Sequence, residues 1–556
     1  MIQTRSDKRC CGHGTNALTV GVAFAVVVTI TLICFAPDLG NSLLDWDDAG
    51  YITENTHIHS LSLKTVWWAF SSFYLNYWAP LTWLSLALDY AVWGLNPVGY
   101  HLTNNILHAF NAGLFFLICM ELLAIRSPGF LRVNEDAPFL HIRSQLLCAV
   151  LAALFFAIHP LRVESVAWAT ERKDVLSLFF GLPAVLFYLR HSRSSASAAM
   201  SPDYWLSLLL FTLSLLSKSM MVTLPVVLLV LDWFPLKRLQ PSCIAATLTE
   251  KAPFFILSGA ASLLTVKAQA DMLASSDHIT MFTRLLNAFN SIWAYLQLTV
   301  WPLNLSPFYV HPVSIMHLTP GNVLPIVFFV VVTICCVMTF RRVPVFMAVW
   351  LIYLVTLLPF LGITQSGPQA MAGRFTYLAG LPLALLFSLG VMYIVMRLRG
   401  SPAATVTLGS TVTVLLLACG YLTVREIAFW KDDVTLWTRV IEMSPDTGRA
   451  YFQRSYAYRL KHDYQHALAD IERAIAIAAR KNYRAMHELY WKRAAIRLDM
   501  GEYANAVTDY TRALESVADS SRAMILYERG LARQKLGSTD LANEDFRMSE
   551  MVVRSR

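Results

Sequence analysis

Charge is scarce in this chain. Only 15% of its 556 residues are Asp, Glu, Lys or Arg, where soluble proteins carry about 25%. With 56% hydrophobic residues and a mean hydropathy of +0.49, an ordinary soluble globule is excluded, because the excess apolar surface needs a second apolar solvent. Cysteine is sparse too. The nine cysteines lie mostly in apolar runs, none follows Cys419, and their spacing offers neither a disulfide framework nor a metal-ligand set. Cys10 and Cys11 could be acylated, but an incidental cytoplasmic pair is the favoured reading. The net charge of +8 carries no nucleic-acid signature, since the basic residues sit at the ends of apolar runs rather than in one patch.

What is present is a series of long apolar runs joined by short basic loops, and roughly 20 apolar residues cross a membrane. The first run, 17–37, follows Arg5, Lys8 and Arg9. It is longer than a signal-peptide core and lacks a small-residue cleavage site, so it reads as an uncleaved span. The excess of Lys and Arg in cytoplasmic loops threads the rest. Residues 38–100 form a long first external loop. Spans at 102–123, up to His159, and from Val175 follow, with Arg126, Arg132 and Arg143 in one inward loop and Arg190, His191 and Arg193 at the next. A tight pair, 205–216 and 221–233, turns outside at Lys218 and ends inside at Lys237 and Arg238. Spans at 254–266, 323–340, 345–361, 375–396 and 405–422 alternate, with Arg341, Arg342, Arg397 and Arg399 at inward ends. Parity requires that 285–301 not cross, and its Asn287, Asn290, Ser291 and Gln297 suit an interfacial helix. The reading is an all-α polytopic membrane protein of about eleven spans over 1–424, with a cytoplasmic N-terminus and everything after Leu422 outside.

After Val424 the composition turns charged and amphipathic. Three stretches beginning YFQRSYAYRL at Tyr451, YWKRAAIRLD at Tyr490 and YERGLARQKL at Tyr527 align with one another. Arg454, Arg493 and Arg529 correspond, as do Asp470, Asp509 and Asp545, at intervals of 39 and 36. Tetratricopeptide (TPR) repeats have a period of about 34 with small residues where helices cross, and Gly501 and Ala506 fill such positions. Residues 425–556 therefore read as an α-solenoid of about three TPR-like repeats after a leading half-repeat. Such a module either binds protein segments or packs as a cap.

The acidic constellations all fall on the external side of this thread. Asp45-Trp46-Asp47-Asp48 follows the first span, where adjacent carboxylates repel and one becomes a better base; helix-capping aspartates in a solvated loop are the alternative. The 38–100 loop is rich in Trp and Tyr, which lie at headgroup depth, so it predicts interfacial helices. The loop His159 to Asp174 is dense in ionisable groups where the membrane begins, and such residues point to function; ordinary charges at helix ends are the alternative. Lys218 turns a hairpin of two apolar helices. Arg374, just before an inward span, could hold a lipid phosphate or anchor a helix end.

DWDDAGYITEN, YWAPLTWLSLALDYAVWGLNPVGYHLTNNILHAFNA, AIHPLRVESVAWATERKDVLS, LSKSMMVTLPVVLLVLDWFP and GPQAMAGRFTYLAGLP, in that order and followed by repeats, resemble the transmembrane-and-TPR protein O-mannosyltransferases and their bacterial relatives. The resemblance implies a GT-C-type glycosyltransferase that takes a hexose, mannose or another, from a polyprenyl-phosphate carrier by an inverting displacement. It places the family's acidic pair on Asp47 and Asp48, with donor or substrate contacts at His159, Glu164, Arg172, Asp174, Lys218 and Arg374. The acceptor would be Ser or Thr of secreted or membrane proteins, engaged by the repeats; a glycan or lipid acceptor, or a non-catalytic membrane scaffold, are the rival functions. No metal site is implied. ERKD at 171–174 is closer to the bacterial branch, which implies a bacterial inner membrane; a eukaryotic member would occupy the endoplasmic reticulum with the same topology.

Overall fold

The computed structural model describes residues 17–125, 142–194, 197–241, 243–270, 279–311, 319–363, 369–398, 401–481, 486–515, 517 and 519–554. The tail around Arg5, Lys8, Arg9, Cys10 and Cys11, and the loop residues Arg126, Arg132 and Arg399, lie outside them. The protein is all-α. Among the described residues the β pairing is limited to two isolated bridges, Tyr74 with Tyr77 and Val310 with Gln369.

The chain divides into two compact units. The first takes residues 1–43, 48–305 and 309–428. Its helices are α1 (Ala17–Phe35), α2 (Leu63–Ser71), α3 (Pro80–Trp93), α4 (Pro97–Ala124), α5 (Ile142–Ala157), α6 (Val163–Ala167), α7 (Arg172–His191), α8 (Pro202–Ser217), α9 (Leu224–Trp233), α10 (Ile244–Ala268), α11 (Met281–Val300), α12 (Pro320–Thr339), α13 (Pro344–Leu357), α14 (Thr376–Arg397) and α15 (Pro402–Ile427). Many begin in the same way. Proline at the first helical position fixes φ and needs no N–H partner, while the residue before it caps the end: Asn96 accepts from the Val98 N–H and Ser201 from the Tyr204 N–H.

Among the described residues six helical segments are long and apolar enough to cross a membrane: Ala17–Gly40, Pro97–Ala124, Ala169–His191, Pro320–Thr339, Gly373–Arg397 and Pro402–Trp430. The predicted third span, on α5, is followed by a 58° bend between Arg143–Ala157 and Pro160–Ala167, so the chain turns at His159, where that span is expected to end. Ser219–Trp233 and Pro344–Phe360 are shorter apolar helices. Two further predicted spans, on α8 and α10, fall outside these sets. Helix α8 has 16 residues, about 24 Å at 1.5 Å per residue, and α10 carries Glu250, Lys251 and Lys267.

The second unit takes residues 44–47, 306–308 and 429–556. It holds α16 (Asp433–Met443), α17 (Gly448–Leu460), α18 (Tyr464–Arg480), α19 (Met486–Asp499), α20 (Tyr503–Leu514), α21 (Asp519–Lys535) and α22 (Thr539–Arg554). Consecutive helices pack as pairs, each against the next, which is solenoid architecture. The repeated Arg and Asp explain themselves here. In each pair the arginine of the first helix grips the aspartate of the second with two hydrogen bonds: Arg454 to Asp470 at 2.7 and 2.9 Å, Arg493 to Asp509 at 2.8 and 2.7 Å, and Arg529 to Asp545 at 3.0 and 2.7 Å. Paired forks of this kind are the stronger class of ion pair. In the third pair α22 approaches so closely that a Cβ on Gly530 would lie 2.5 Å from the Phe546 ring.

Candidate functional site

The site lies in the first unit, where the chain breaks its helices. After α5 turns at His159, the segment 160–171 runs through short helical turns into α7. The His159 side chain serves this turn: Nδ1 accepts the Leu161 N–H at 3.3 Å, while Nε2 meets the Thr299 carbonyl at 3.0 Å. A neutral ring with its proton on Nε2 satisfies both contacts.

Arg172 opens α7 and points away from its neighbours. It is fully buried, with Nη2 on Asp89 at 2.6 Å and on the Tyr100 carbonyl at 2.8 Å, Nε on Asn104 at 2.5 Å and Nη1 on Ser85 at 2.8 Å. These contacts clamp α3 and α4 to α7. Glu171 and Asp174, three residues apart, share the opposite face as helical spacing dictates.

On that face the charges converge. The Lys218 ammonium reaches Asp174 Oδ1 at 2.6 Å and Glu171 Oε2 at 3.1 Å. Lys173 Nζ lies 3.3 Å from Glu171 Oε1 and over the rings of Tyr51 and Tyr77. Arg374 pairs with Glu164 through Nη1, approaches Glu171 Oε1 with Nε at 3.4 Å, and donates to Gln369 Oε1 at 2.8 Å. Asp174 also accepts from Ser165 at 3.1 Å. Three carboxylates and three cations thus form one network, with Glu164, Glu171 and Asp174 each at most 5% exposed.

Each partner has a reason to be there. Lys218 sits in the break after α8, where its backbone is extended. Ser214 donates to the Ser177 carbonyl at 2.7 Å and Ser177 to the Lys218 carbonyl at 3.1 Å, which fixes α7 against that break. Burial alone would weaken the Lys218 ammonium, yet the Asp174 and Glu171 carboxylates outweigh it and hold its pKa above the ordinary lysine range. Arg374 is placed by α11. Asn287 donates to the Ala370 carbonyl at 2.9 Å, and the Ala372 N–H donates to Tyr295 at 3.1 Å. Asn287 and Tyr295 of α11 are thus buried anchors for the Arg374 loop. Gly373 completes the approach, since a Cβ there would lie 2.9 Å from Glu164 Oε2, the atom that accepts the Arg374 N–H at 3.1 Å.

In front of the network is a cleft with an accessible volume of about 200 Å³. Lys173, Lys218 and Arg374 line it, together with Tyr77, Trp78, Phe360, Phe375, Gln269 and Gln369. No Asp or Glu among the described residues does so. The carboxylates stand behind the cations, so the charged groups that face a ligand are Lys173, Lys218 and Arg374. Aromatic rings beside polar amides offer flat surfaces and hydrogen bonds, the usual complement of a sugar or of a lipid near its headgroup.

Neither Asp47 nor Asp48 is among the residues that line the cleft. Asp48 is fully buried in the first unit and accepts the Thr170 N–H at 3.0 Å. Asp47 belongs to the second unit, in which the neighbouring Asp45 N–H bonds both carboxylate oxygens of Asp433 at 3.0 and 3.1 Å. Of the other predicted residues, Glu164, Asp174, Lys218 and Arg374 come together, while His159 and Arg172 hold the surrounding turns. Glu171 and Lys173 were not singled out from the sequence. The three-residue step from Glu171 to Asp174 was the available signal. Among the described residues, no three His, Cys, Asp or Glu side chains are grouped so as to hold a metal ion.

No family model matches the chain. Several curated proteins do. It is 27% identical over 191 residues to mouse Protein O-mannosyl-transferase TMTC3, covering 32% of this chain and 18% of that protein. With human TMTC4 it shares 29% over 210 residues, covering 36% and 27%, and with human TMTC2 it shares 33% over 173 residues, covering 31% and 18%. The matches thus span about a quarter or less of those relatives' length and about a third of this chain.

Proposed function

We propose that the protein is a glycosyltransferase that moves a hexose from a polyprenyl-phosphate carrier to Ser or Thr of a protein acceptor, on the extracytoplasmic face of its membrane. The observation that carries this reading is the cleft lined by Lys173, Lys218 and Arg374 with the carboxylates withdrawn behind them. The relatives' names, protein O-mannosyl-transferase, support mannose as the sugar and protein as the acceptor. The ERKD wording favours a bacterial inner membrane as the location.

In this reading the donor phosphate rests on the three cations and its sugar against the aromatic wall. The acceptor oxygen attacks the anomeric carbon from the face opposite the phosphate and inverts it. The bond from that carbon to the phosphate oxygen breaks, its electron pair stays with the phosphate, and the acceptor proton passes to Asp47 or Asp48. The cations stabilise charge that grows on the leaving phosphate, the usual largest contribution in such sites. The repeats bind the protein acceptor.

The test is transfer by the purified full-length chain from polyprenyl-phosphate mannose and polyprenyl-phosphate glucose to a Ser/Thr-rich acceptor protein. The Asp47→Asn, Asp48→Asn and Arg374→Gln variants run alongside. Transfer that is lost in Arg374→Gln and in one aspartate variant supports the reading. Full transfer in both aspartate variants removes the assigned base, and no binding of either donor by a folded wild type overturns the donor class.

A further inference from the structure

Among the described residues Glu171 is the one carboxylate that forms an ion pair with all three cations that line the cleft: Lys218 at 3.1 Å, Lys173 at 3.3 Å and Arg374 at 3.4 Å. The other two carboxylates each serve one of those cations, Asp174 holding Lys218 and Glu164 holding Arg374. Glu171 is 2% exposed and does not line the cleft. It therefore has no open path to a sugar hydroxyl, and its contacts are directed at the groups that a phosphate would use.

An anion fixed at the meeting point of three cations competes with any anion that arrives from the front. We propose that Glu171 is a positioning residue that acts as an internal competitor of the lipid phosphate, holding Lys173, Lys218 and Arg374 in register while weakening their grip on the phosphate so that the spent carrier leaves. This rests on the cleft being the lipid-phosphate site. The chemistry supplies the need. The donor is a phosphodiester with one negative charge, and the departing polyprenyl phosphate carries up to two, so three uncompensated cations would hold the product more tightly than the substrate. The network as built has three positive and three negative groups, and the loss of Glu171 leaves one cation in excess.

The consequence runs against the usual expectation for a buried charged residue. Glu171→Gln keeps the shape and removes the charge, so the affinity for polyprenyl monophosphate should rise by about 10-fold, the size of one charge-assisted hydrogen bond returned to the ligand. Affinity for the sugar-bearing diester should rise less, and turnover should fall while KM falls with it. Lys218→Gln should weaken both ligands. The measurement is binding of polyprenyl monophosphate, polyprenyl-phosphate mannose and uncharged polyprenol to the full-length protein in nanodiscs, for wild type, Glu171→Gln, Glu171→Asp and Lys218→Gln. Tighter monophosphate binding in Glu171→Gln, with an intermediate value in Glu171→Asp, supports the proposal. Binding equal to or weaker than wild type in both Glu171 variants overturns it and makes Glu171 a strut. Failure of both to fold while Lys218→Gln folds overturns it in the same sense. If wild type prefers neither phosphate lipid over polyprenol, the lipid-phosphate reading itself fails.

Discussion

Lys218→Met separates what the charge network does for folding from what it does for a ligand. The side chain is 11% exposed, and its two partners, Asp174 and Glu171, are 3% and 2% exposed. Removing one member of a buried pair costs about 3–5 kcal/mol, because the other charge is left without compensation. Glu171 retains Lys173 and Arg374, whereas Asp174 retains only its hydrogen bond from Ser165 among the contacts described. The deficit therefore falls mainly on Asp174, and about 3 kcal/mol is expected. For a unit of this size that corresponds to about 4 °C in the unfolding midpoint, read at one scan rate because membrane proteins commonly unfold irreversibly. Adding Asp174→Asn removes the stranded charge, so the double variant should return to within about 1 kcal/mol of wild type. It should still bind polyprenyl-phosphate mannose poorly, because one of the three cations that line the cleft is gone. A Lys218→Met protein as stable as wild type would refute the network argument. A double variant that regains donor binding would refute the role of Lys218 in the cleft.

In the repeats, Asp509→Ala takes from Arg493 its bidentate partner and from Arg497 the nearest of its carboxylates, leaving Arg497 with Glu472 at 3.7 Å and Glu502 at 3.9 Å. About 3 kcal/mol should disappear from α19 and α20, seen as roughly 100-fold faster hydrogen exchange there with little change in α4 or α7. Gly530→Ala drives a methyl group into the Phe546 ring and should cost about 1–3 kcal/mol as an overpacking change; Phe546→Leu in the same chain should recover part of it, as measured by the same exchange. Asp433 supplies the pH prediction. Burial pushes its pKa up to about 6, the N–H bonds from Asp45 oppose that rise, and the charges of Asp45 and Asp432 add to it. The folded state thus keeps a proton that the unfolded chain releases near pH 4, so this group's contribution falls as pH rises from about 4 to 6 and is level above. Asp433→Asn should remove that slope, and unfolding midpoints at pH 4.5, 5.5 and 7 that differ from wild type by a constant amount would refute it.

How far the chain could be read depended on whether a residue's partner was near in sequence or repeated. Apolar runs with basic ends identify membrane helices because length and composition suffice for that. The Arg and Asp of the repeats could be aligned because they recur, although only the structure shows that each pair is a bridge 16 residues apart. The site was legible as a block, from 159 to 174, but not residue by residue. Arg172 and Lys173 are neighbours of the same charge, yet one is buried against Asp89 and Asn104 and the other lines the cleft. What divides them is the angular step of a helix and the position of partners some 70 to 80 residues away, and a local reading contains only the first. The same limit explains α11. Its Asn287 anchors a loop that lies 83 residues further on, a contact that no local reading of 285–301 contains. Charge in an apolar chain is expensive wherever it occurs, so the sequence marks out a candidate site; which charges face the cleft and which hold one another is decided by contacts that close only in the folded chain.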